Sequence, residues 1–138
     1  MNTDKLNIPK GFSFWDGDPA ENHIGPFFYR LNNDKIETAF RIEDKNLNSS
    51  HTAHGGCLMA FADYTLCITS IANSDEGCVT VSCNSEFVDA ALPGDLVIGE
   101  GILTRRTGSL AFTQCILRVE DKIVLTASAV IKRIRKKN

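Results

Sequence analysis

His54-Gly-Gly-Cys-Leu-Met-Ala-Phe-Ala-Asp63-Tyr-Thr-Leu-Cys-Ile-Thr-Ser-Ile-Ala-Asn73 is almost free of charge, with Asp63 as its one carboxylate. Apolar residues run nearly all the way round, which predicts a buried helix from about Gly55 to Ala72, ending near Asn73-Ser74. No Lys, Arg or second acid lies within the stretch to pair with Asp63. Burying an unpaired carboxylate is costly or raises its pKa, so Asp63 reads as an acid kept for use, a nucleophile or general base. Its structural alternative is a carboxylate bonded to a neighbouring backbone group or hydroxyl. Gly55-Gly56 marks a tight loop into the helix, where free N–H groups suit a developing negative charge. A buried acid and an anion site at a helix start point together to hydrolysis of an acyl compound.

Outward from the helix the pattern changes to strands. Phe27 to Leu31 and Lys35 to Ile42 read as a hairpin joined at Asn32-Asn33-Asp34, with Ile36, Phe40 and Ile42 on one face. Residues 43–53 read as a polar loop without helical or strand period. After the helix come Cys78 to Val88, Leu96 to Thr107, Leu110 to Glu120 and Lys122 to Ile134, punctuated by Pro93-Gly94-Asp95, Thr107-Gly108-Ser109 and Glu120-Asp121. Residues 1–25 carry Phe12, Phe14 and Trp15 among turn formers and read as a docking segment that pins aromatics onto the body. The order β-β-α-β-β-β-β predicts an α+β fold in which a curved antiparallel sheet wraps one central helix. Strand edges of this length need covering, and a second copy of the chain would cover them.

The 138 residues suit one domain spanning 1–138. A hydrophobic fraction of 43% and a net charge of −2 are those of an ordinary globular protein, with no global field for nucleic acid. Asp63 breaks the best apolar run below membrane-spanning length. The first residues, Met-Asn-Thr-Asp-Lys, lack the apolar region of a signal peptide. Five cysteines, an odd number, read as small buried hydrophobes in a reducing compartment, and the cytoplasm is the expectation. The basic run Lys132-Arg133-Ile-Arg135-Lys136-Lys137 reads as a solvated tail, or as a phosphate contact if it folds back on the site.

Spacing constrains the chemistry. His54 and Asp63 are nine positions apart, about half a turn out of phase at ~100° per residue and about 13 Å apart along one straight helix. Either the substrate spans that gap or a second subunit supplies the partner. Asn48 and Thr80 flank the helix: an amide can donate to a carbonyl, and a hydroxyl can orient water. His51-x-x-His54-x-x-Cys57 suggests zinc but lacks a fourth ligand, so no metal is expected. Cys57 in the first helical turn, with His54 as base, is an alternative nucleophile.

Asn48-x5-His54-Gly55-Gly56-x6-Asp63, then Val79-Thr80-x6-Phe87 and Pro93-Gly94-Asp95, resembles the hotdog-fold acyl-CoA thioesterases. The similar branch includes the phenylacetic-acid-degradation thioesterase and mammalian thioesterase superfamily member 2. Arg105-Arg106-Thr107-Gly108-Ser109-Leu110-Ala111-Phe112-Thr113 also looks like that branch, and the resemblance covers roughly residues 25–134. It implies that Asp63 is the base or nucleophile, with Thr80 holding the attacking water. It implies that the Gly55 N–H meets the oxyanion while Asn48 and His54 polarise the thioester carbonyl. Asp and hydroxyl would come from one subunit, Asn and His-Gly from the other, in a homodimer that pairs into a dimer of dimers. Coenzyme A, as part of the substrate and with no separate cofactor, would lie along Gly56, Arg105, Arg106, Gly108, Ser109 and Lys132. Two segments depart from the family: His51-Thr52-Ala53 precedes His54 in place of Gly-Thr-Val, and Asp89-Ala90-Ala91 replaces the common Pro-Ala.

Two rival functions use the same residues. A non-catalytic acyl-CoA binder would keep the fold and the basic rim. An acyl-thioester dehydratase would want an Asp closely followed by His, or a His with a Glu on the helix, and no His follows His54.

Overall fold

His54 opens the central helix by turning its own side chain back: Nδ1 accepts the Gly56 N–H at 2.8 Å, satisfying one donor of the first turn. The helix ends where Ala72 goes extended and Asn73 adopts a positive φ of 64°. The computed structural model describes residues 3–135; Met1, Asn2 and, from the basic run onward, Lys136, Lys137 and Asn138 lie outside the described residues.

In chain order the elements are β1 (Ser13–Phe14), α1 (Pro19–Ile24), β2 (Phe28–Asn32), β3 (Lys35–Arg41), α2 (Gly55–Ile71), β4 (Gly77–Phe87), β5 (Leu96–Arg106), β6 (Leu110–Val119) and β7 (Lys122–Ile134). All strands join one antiparallel sheet in the order β1-β2-β3-β5-β6-β7-β4. The chain leaves β3, crosses under the whole sheet as α2, and returns as β4 at the opposite edge. This is the α+β hotdog arrangement, with α2 packed against β3 through β7. Asn33 and Asp34 both take positive φ, 51° and 65°, which gives the two-residue hairpin turn expected between β2 and β3.

α2 has no polar face because its surroundings leave little of it to water. Leu58, Phe61, Ala62, Tyr64, Thr65, Leu66, Thr69 and Ser70 are buried. Phe61 closes a fully buried trio with Phe27 and Phe40, ring centroids 4.9 to 5.3 Å apart. Burial of each such ring contributes about 1.5–3 kcal/mol. Two glycines of β5 let the helix come this close: a Cβ on Gly101 would sit 1.8 Å from Thr69 Oγ1, and one on Gly99 2.9 Å from Thr65 Oγ1. Thr38 and Thr65 answer each other's buried hydroxyls at 2.7 Å.

The amino-terminal segment is more structured than its composition suggests. Leu6, Ile8, Phe12 and Phe14 pack with Phe28, Ala39, Leu96 and Ile98, so these two aromatics dock as expected. Trp15 does not dock and stays 62% exposed. Within the segment read as aromatics among turn formers, Pro19–Ile24 form α1: Asp18 caps it by accepting the Glu21 N–H at 3.0 Å, and Pro19 stands at the first helical position. The 43–53 loop also holds regular structure, a 3-10 turn at Asp44–Asn46 and a Leu47–Ala53 bridge. The period of either is too short to register in sequence. Among the described residues no helix is long and apolar enough to cross a membrane.

Candidate active site

β4 is the outermost strand, and it runs alongside α2. Thr80 meets Asp63, Ser85 meets Met59 at 2.7 Å (Oγ to Sδ), and the Phe87 ring lies over Gly55, 3.1 Å from where a Cβ would stand. The register slips between Thr80 and Ser82, leaving Val81 as the extra residue of a bulge. Bulges bend a strand and redirect its side chains, and this one falls beside Asp63.

Asp63 is half-buried rather than sealed in the core, and it is not unpartnered. Its Oδ1 accepts the Thr80 hydroxyl at 2.6 Å, and the Cys67 thiol approaches the same oxygen at 3.8 Å. The partner was invisible within the helical stretch because it lies on another element. Bonding through Oδ1 leaves Oδ2 for a water or a substrate atom.

Gly55 is the first residue of α2, so its N–H has no intrahelical acceptor. Eight residues separate it from Asp63 on one continuous helix, about 12 Å along the axis. His54 is exposed. Since Nδ1 accepts from Gly56, the neutral imidazole carries its proton on Nε2, pointing a donor outward. A Cβ on Gly56 would lie 3.0 Å from His54 Nδ1, which is why a glycine follows the cap.

Asn48 organises its own loop. Its Oδ1 accepts the N–H groups of Ser50 at 3.0 Å and Thr52 at 3.1 Å, and Nδ2 donates to Thr52 Oγ1 at 3.0 Å. The residue that ties this loop to the helix start is Asn46, which composition did not single out. Buried to 1% exposure, its side-chain Nδ2 donates to Ile24 O at 2.7 Å, and its backbone carbonyl accepts the His54 N–H at 2.7 Å. Cys57 lies 3.8 Å from Asn46 Nδ2, while His54 Nδ1 is engaged with Gly56, so the two do not form a Cys–His dyad through that nitrogen.

The residues of the basic rim separate. Arg106 Nη2 donates to Ser70 O at 2.8 Å and so satisfies a carbonyl at the end of α2. Arg105 and Lys132 are exposed and alternate away from the helix side of the sheet. Gly108 and Ser109 form the β5–β6 turn, pinned by Arg133: its Nη2 donates to the Thr107 carbonyl and, at 3.1 Å, to Gly108 O, while its Nη1 meets Glu76 at 3.2 Å.

One further acid faces the site. Glu21 of α1 is pushed up from 4.5 to about 7, first by burial and then by the charges of Asp18, Asp63 and Cys78. The Asp18-Pro19-x-Glu21 helix start was the sequence signal for it. Tyr64, next on α2, is buried with its hydroxyl lacking a hydrogen-bond partner among the described residues, and burial pushes its pKa up, with the charge of Glu21 second. Among the described residues no group of three His, Cys, Asp or Glu is placed to hold a metal ion.

Known proteins resemble this chain in sequence and in fold. A protein of Pseudomonas aeruginosa named "Putative esterase PA0474" is 30% identical over 129 residues, 91% of this chain and 96% of that one. The Escherichia coli PaaI protein from the phenylacetic acid degradation operon superimposes with a TM-score of 0.79 at 14% identity, over 88% of each chain. A hypothetical thioesterase of Streptococcus pneumoniae, crystallised with coenzyme A, gives 0.73 at 14% identity, over 81% of this chain and 91% of that one. The Thioesterase superfamily model matches residues 50–126, which span the α2 cap, Asp63, Thr80 and the β5–β6 turn. With more than half its length matched, this chain belongs to the thioesterase superfamily.

Proposed function

We propose that the chain hydrolyses acyl-CoA thioesters to a free acid and coenzyme A, in a site shared between two subunits. The observation that carries this reading is Asp63, held at 2.6 Å by Thr80 on the edge strand of the sheet. Membership of the superfamily supports hydrolysis of a thioester, and the coenzyme A bound to the pneumococcal neighbour supports that carrier. In this reading a water at Asp63 Oδ2, beside Thr80, loses its proton to Asp63 as its oxygen attacks the thioester carbon. Asp63 attacking directly, through a mixed anhydride, uses the same geometry. The carbonyl oxygen gathers negative charge, the Gly55 N–H receives it, and His54 and Asn48 polarise the same carbonyl. Collapse expels the coenzyme A thiolate.

The Gly55 in question belongs to the other subunit. Val79, Val81, Phe87 and Val88 are 47 to 60% exposed along the β4 edge, an apolar border that a second copy would cover. An isologous contact pairs residue i with j and j with i. A two-fold near Cys83 and Asn84 places Thr80 opposite the partner subunit's Phe87, and therefore Asp63 toward the partner subunit's Gly55. The face turned away from α2 carries Ser82, Asn84, Gln114 and Ser128 and is where we place the contact of a dimer of dimers. Arg105, Lys132, Gly56 and the Gly108-Ser109 turn are our candidates for coenzyme A, and the free cysteines favour the cytoplasm.

Thiol release from a panel of aryl- and fatty acyl-CoA esters is the test. The wild type turns over at least one member, and Asp63→Asn loses about 10²–10⁴-fold. Undiminished turnover in that variant removes Asp63 from the chemistry. Tight coenzyme A binding with no turnover across the panel leaves a binding protein.

A further inference from the structure

Two thiols lie directly behind the Asp63–Thr80 pair. Cys67 projects from α2 and Cys78 from the start of β4, both half-buried. Cys67 Sγ is 3.3 Å from Thr80 Oγ1 and 3.8 Å from Asp63 Oδ1, while Cys78 Sγ is 3.8 Å from the Cys67 carbonyl. That carbonyl also accepts the Ser70 hydroxyl at 2.6 Å. With Cys78 Sγ this close to the Cys67 carbonyl, each thiol acts on the other's charge, and the pair is electrically unequal. The Cys67 thiol, and after it the Ser70 hydroxyl, bring Cys78 down to about 7 against burial and the charge of Asp63. Cys67 is driven up, first by Cys78 and then by burial. A thiolate beside a protonated thiol is the arrangement in which one attacks and the other resolves.

We propose that Cys67 and Cys78 form a peroxide-oxidisable dithiol, a modification site on the wall of the active site. The Cys78 thiolate attacks one peroxide oxygen, the O–O bond breaks, and the departing hydroxide takes up the proton released by Cys78, leaving a sulfenic acid and water. Cys67 Sγ then attacks the Cys78 sulfur. The S–O bond breaks, the thiol proton leaves with the hydroxyl as a second water, and a disulfide joins α2 to β4. Two thiols are oxidised and one hydrogen peroxide is reduced to two waters. The new bond draws Cys67 Sγ off Thr80 and Asp63, and reductant restores it. Cys83 and Cys115, the competing neighbours, are both pushed up by burial, Cys115 to about 12, which keeps them protonated and slow.

The test treats the full-length protein with a small excess of hydrogen peroxide, followed by thiol titration, intact mass and disulfide peptide mapping. Two of the five thiols disappear, the mass falls by two hydrogens, a Cys67–Cys78 peptide pair appears, and dithiothreitol reverses all three. Cys67→Ser removes the resolving thiol, so Cys78 stops at a sulfenic acid that dimedone captures. A cross-link joining any other pair, Cys83–Cys115 included, overturns the proposal, as do five thiols surviving the treatment. The associated loss of thioester hydrolysis rests on the function proposed above. The mapped cross-link does not, so a protein without turnover still decides the dithiol.

Discussion

Thr80 Oγ1 lies 2.6 Å from Asp63 Oδ1, a bond that fastens the free edge of the sheet to the middle of its central helix. The acid and the strand edge are thereby one structural unit, and a change at either is read at the other. A hydrogen bond contributing about 1 to 1.5 kcal/mol corresponds to roughly tenfold in rate when it orients a reacting group. Thr80→Val should therefore lower kcat about tenfold or more, whereas Thr80→Ser, which keeps the donor, should stay close to wild type. Steady-state kinetics on the best substrate of the panel compares the two. Loss in Thr80→Ser with none in Thr80→Val would show that the methyl group matters and the hydroxyl does not.

Gly55→Pro isolates the oxyanion donor. Proline suits the first position of a helix and follows an extended residue well, and His54 has ψ 134°. A Cβ at this position meets only the exposed Phe87 side chain, so the fold should survive while one N–H is deleted. Activity should fall about 10²–10³-fold with a thermal midpoint near that of wild type. Calorimetry beside the kinetics separates this outcome from unfolding.

Complementation tests the proposed sharing of the site between two subunits. Asp63→Asn and Gly55→Pro, each inactive alone, are denatured together and refolded. Half the dimers are then mixed, and each mixed dimer holds one intact site of two, so about a quarter of wild-type activity returns. If acid and N–H came from the same chain, mixing would restore nothing.

Gly101 governs how closely α2 approaches the sheet. Gly101→Ala places a Cβ 1.8 Å from Thr69 Oγ1 and should cost about 1–3 kcal/mol or more, seen as a lower urea midpoint. Adding Thr69→Ala removes that hydroxyl and should recover part of the loss. A strictly additive double-mutant cycle would place the strain elsewhere.

Glu21 makes stability depend on pH. Folding raises its pKa from 4.5 to about 7, so between those values the folded state holds a proton that the unfolded state has released. Stability from this group consequently declines as pH rises from about 4.5 to about 7 and is level above. Glu21→Gln should flatten that decline, with urea midpoints at pH 5 and pH 8 as the measurement. An unchanged slope would assign the pH dependence to other groups.

What was legible in sequence follows from the range of each interaction. The expectation of a sheet wrapped round one helix rested on α2 and four long strands, whose boundaries fall within two residues of those observed because period, glycine and turn chemistry act locally. Asn33 and Asp34 announced their hairpin for the same reason. The capped start of α1 was local too, in Asp18-Pro19-x-Glu21, but a helix of six residues has too few turns to show a period. The candidate site was legible in its residue types, and less so in what each side chain touches. Asn48 holds its own loop through Oδ1 and one Nδ2 hydrogen, leaving one donor for a substrate, and Arg106 reaches the end of α2.

By itself, then, the sequence determined the elements, their approximate limits and the presence of one acid on a buried helix. Only the tertiary structure decided that α2 carries the chain to the far edge of the sheet, so that β4 and not β5 faces Asp63. The same crossover sets Thr80 against that acid, brings Glu21 and the Cys67–Cys78 pair to it, and leaves Gly55 two helical turns away. These are contacts between residues distant in the chain. They depend on which strand edges pair and how closely a helix seats, quantities set by packing of the whole core rather than by any stretch within it.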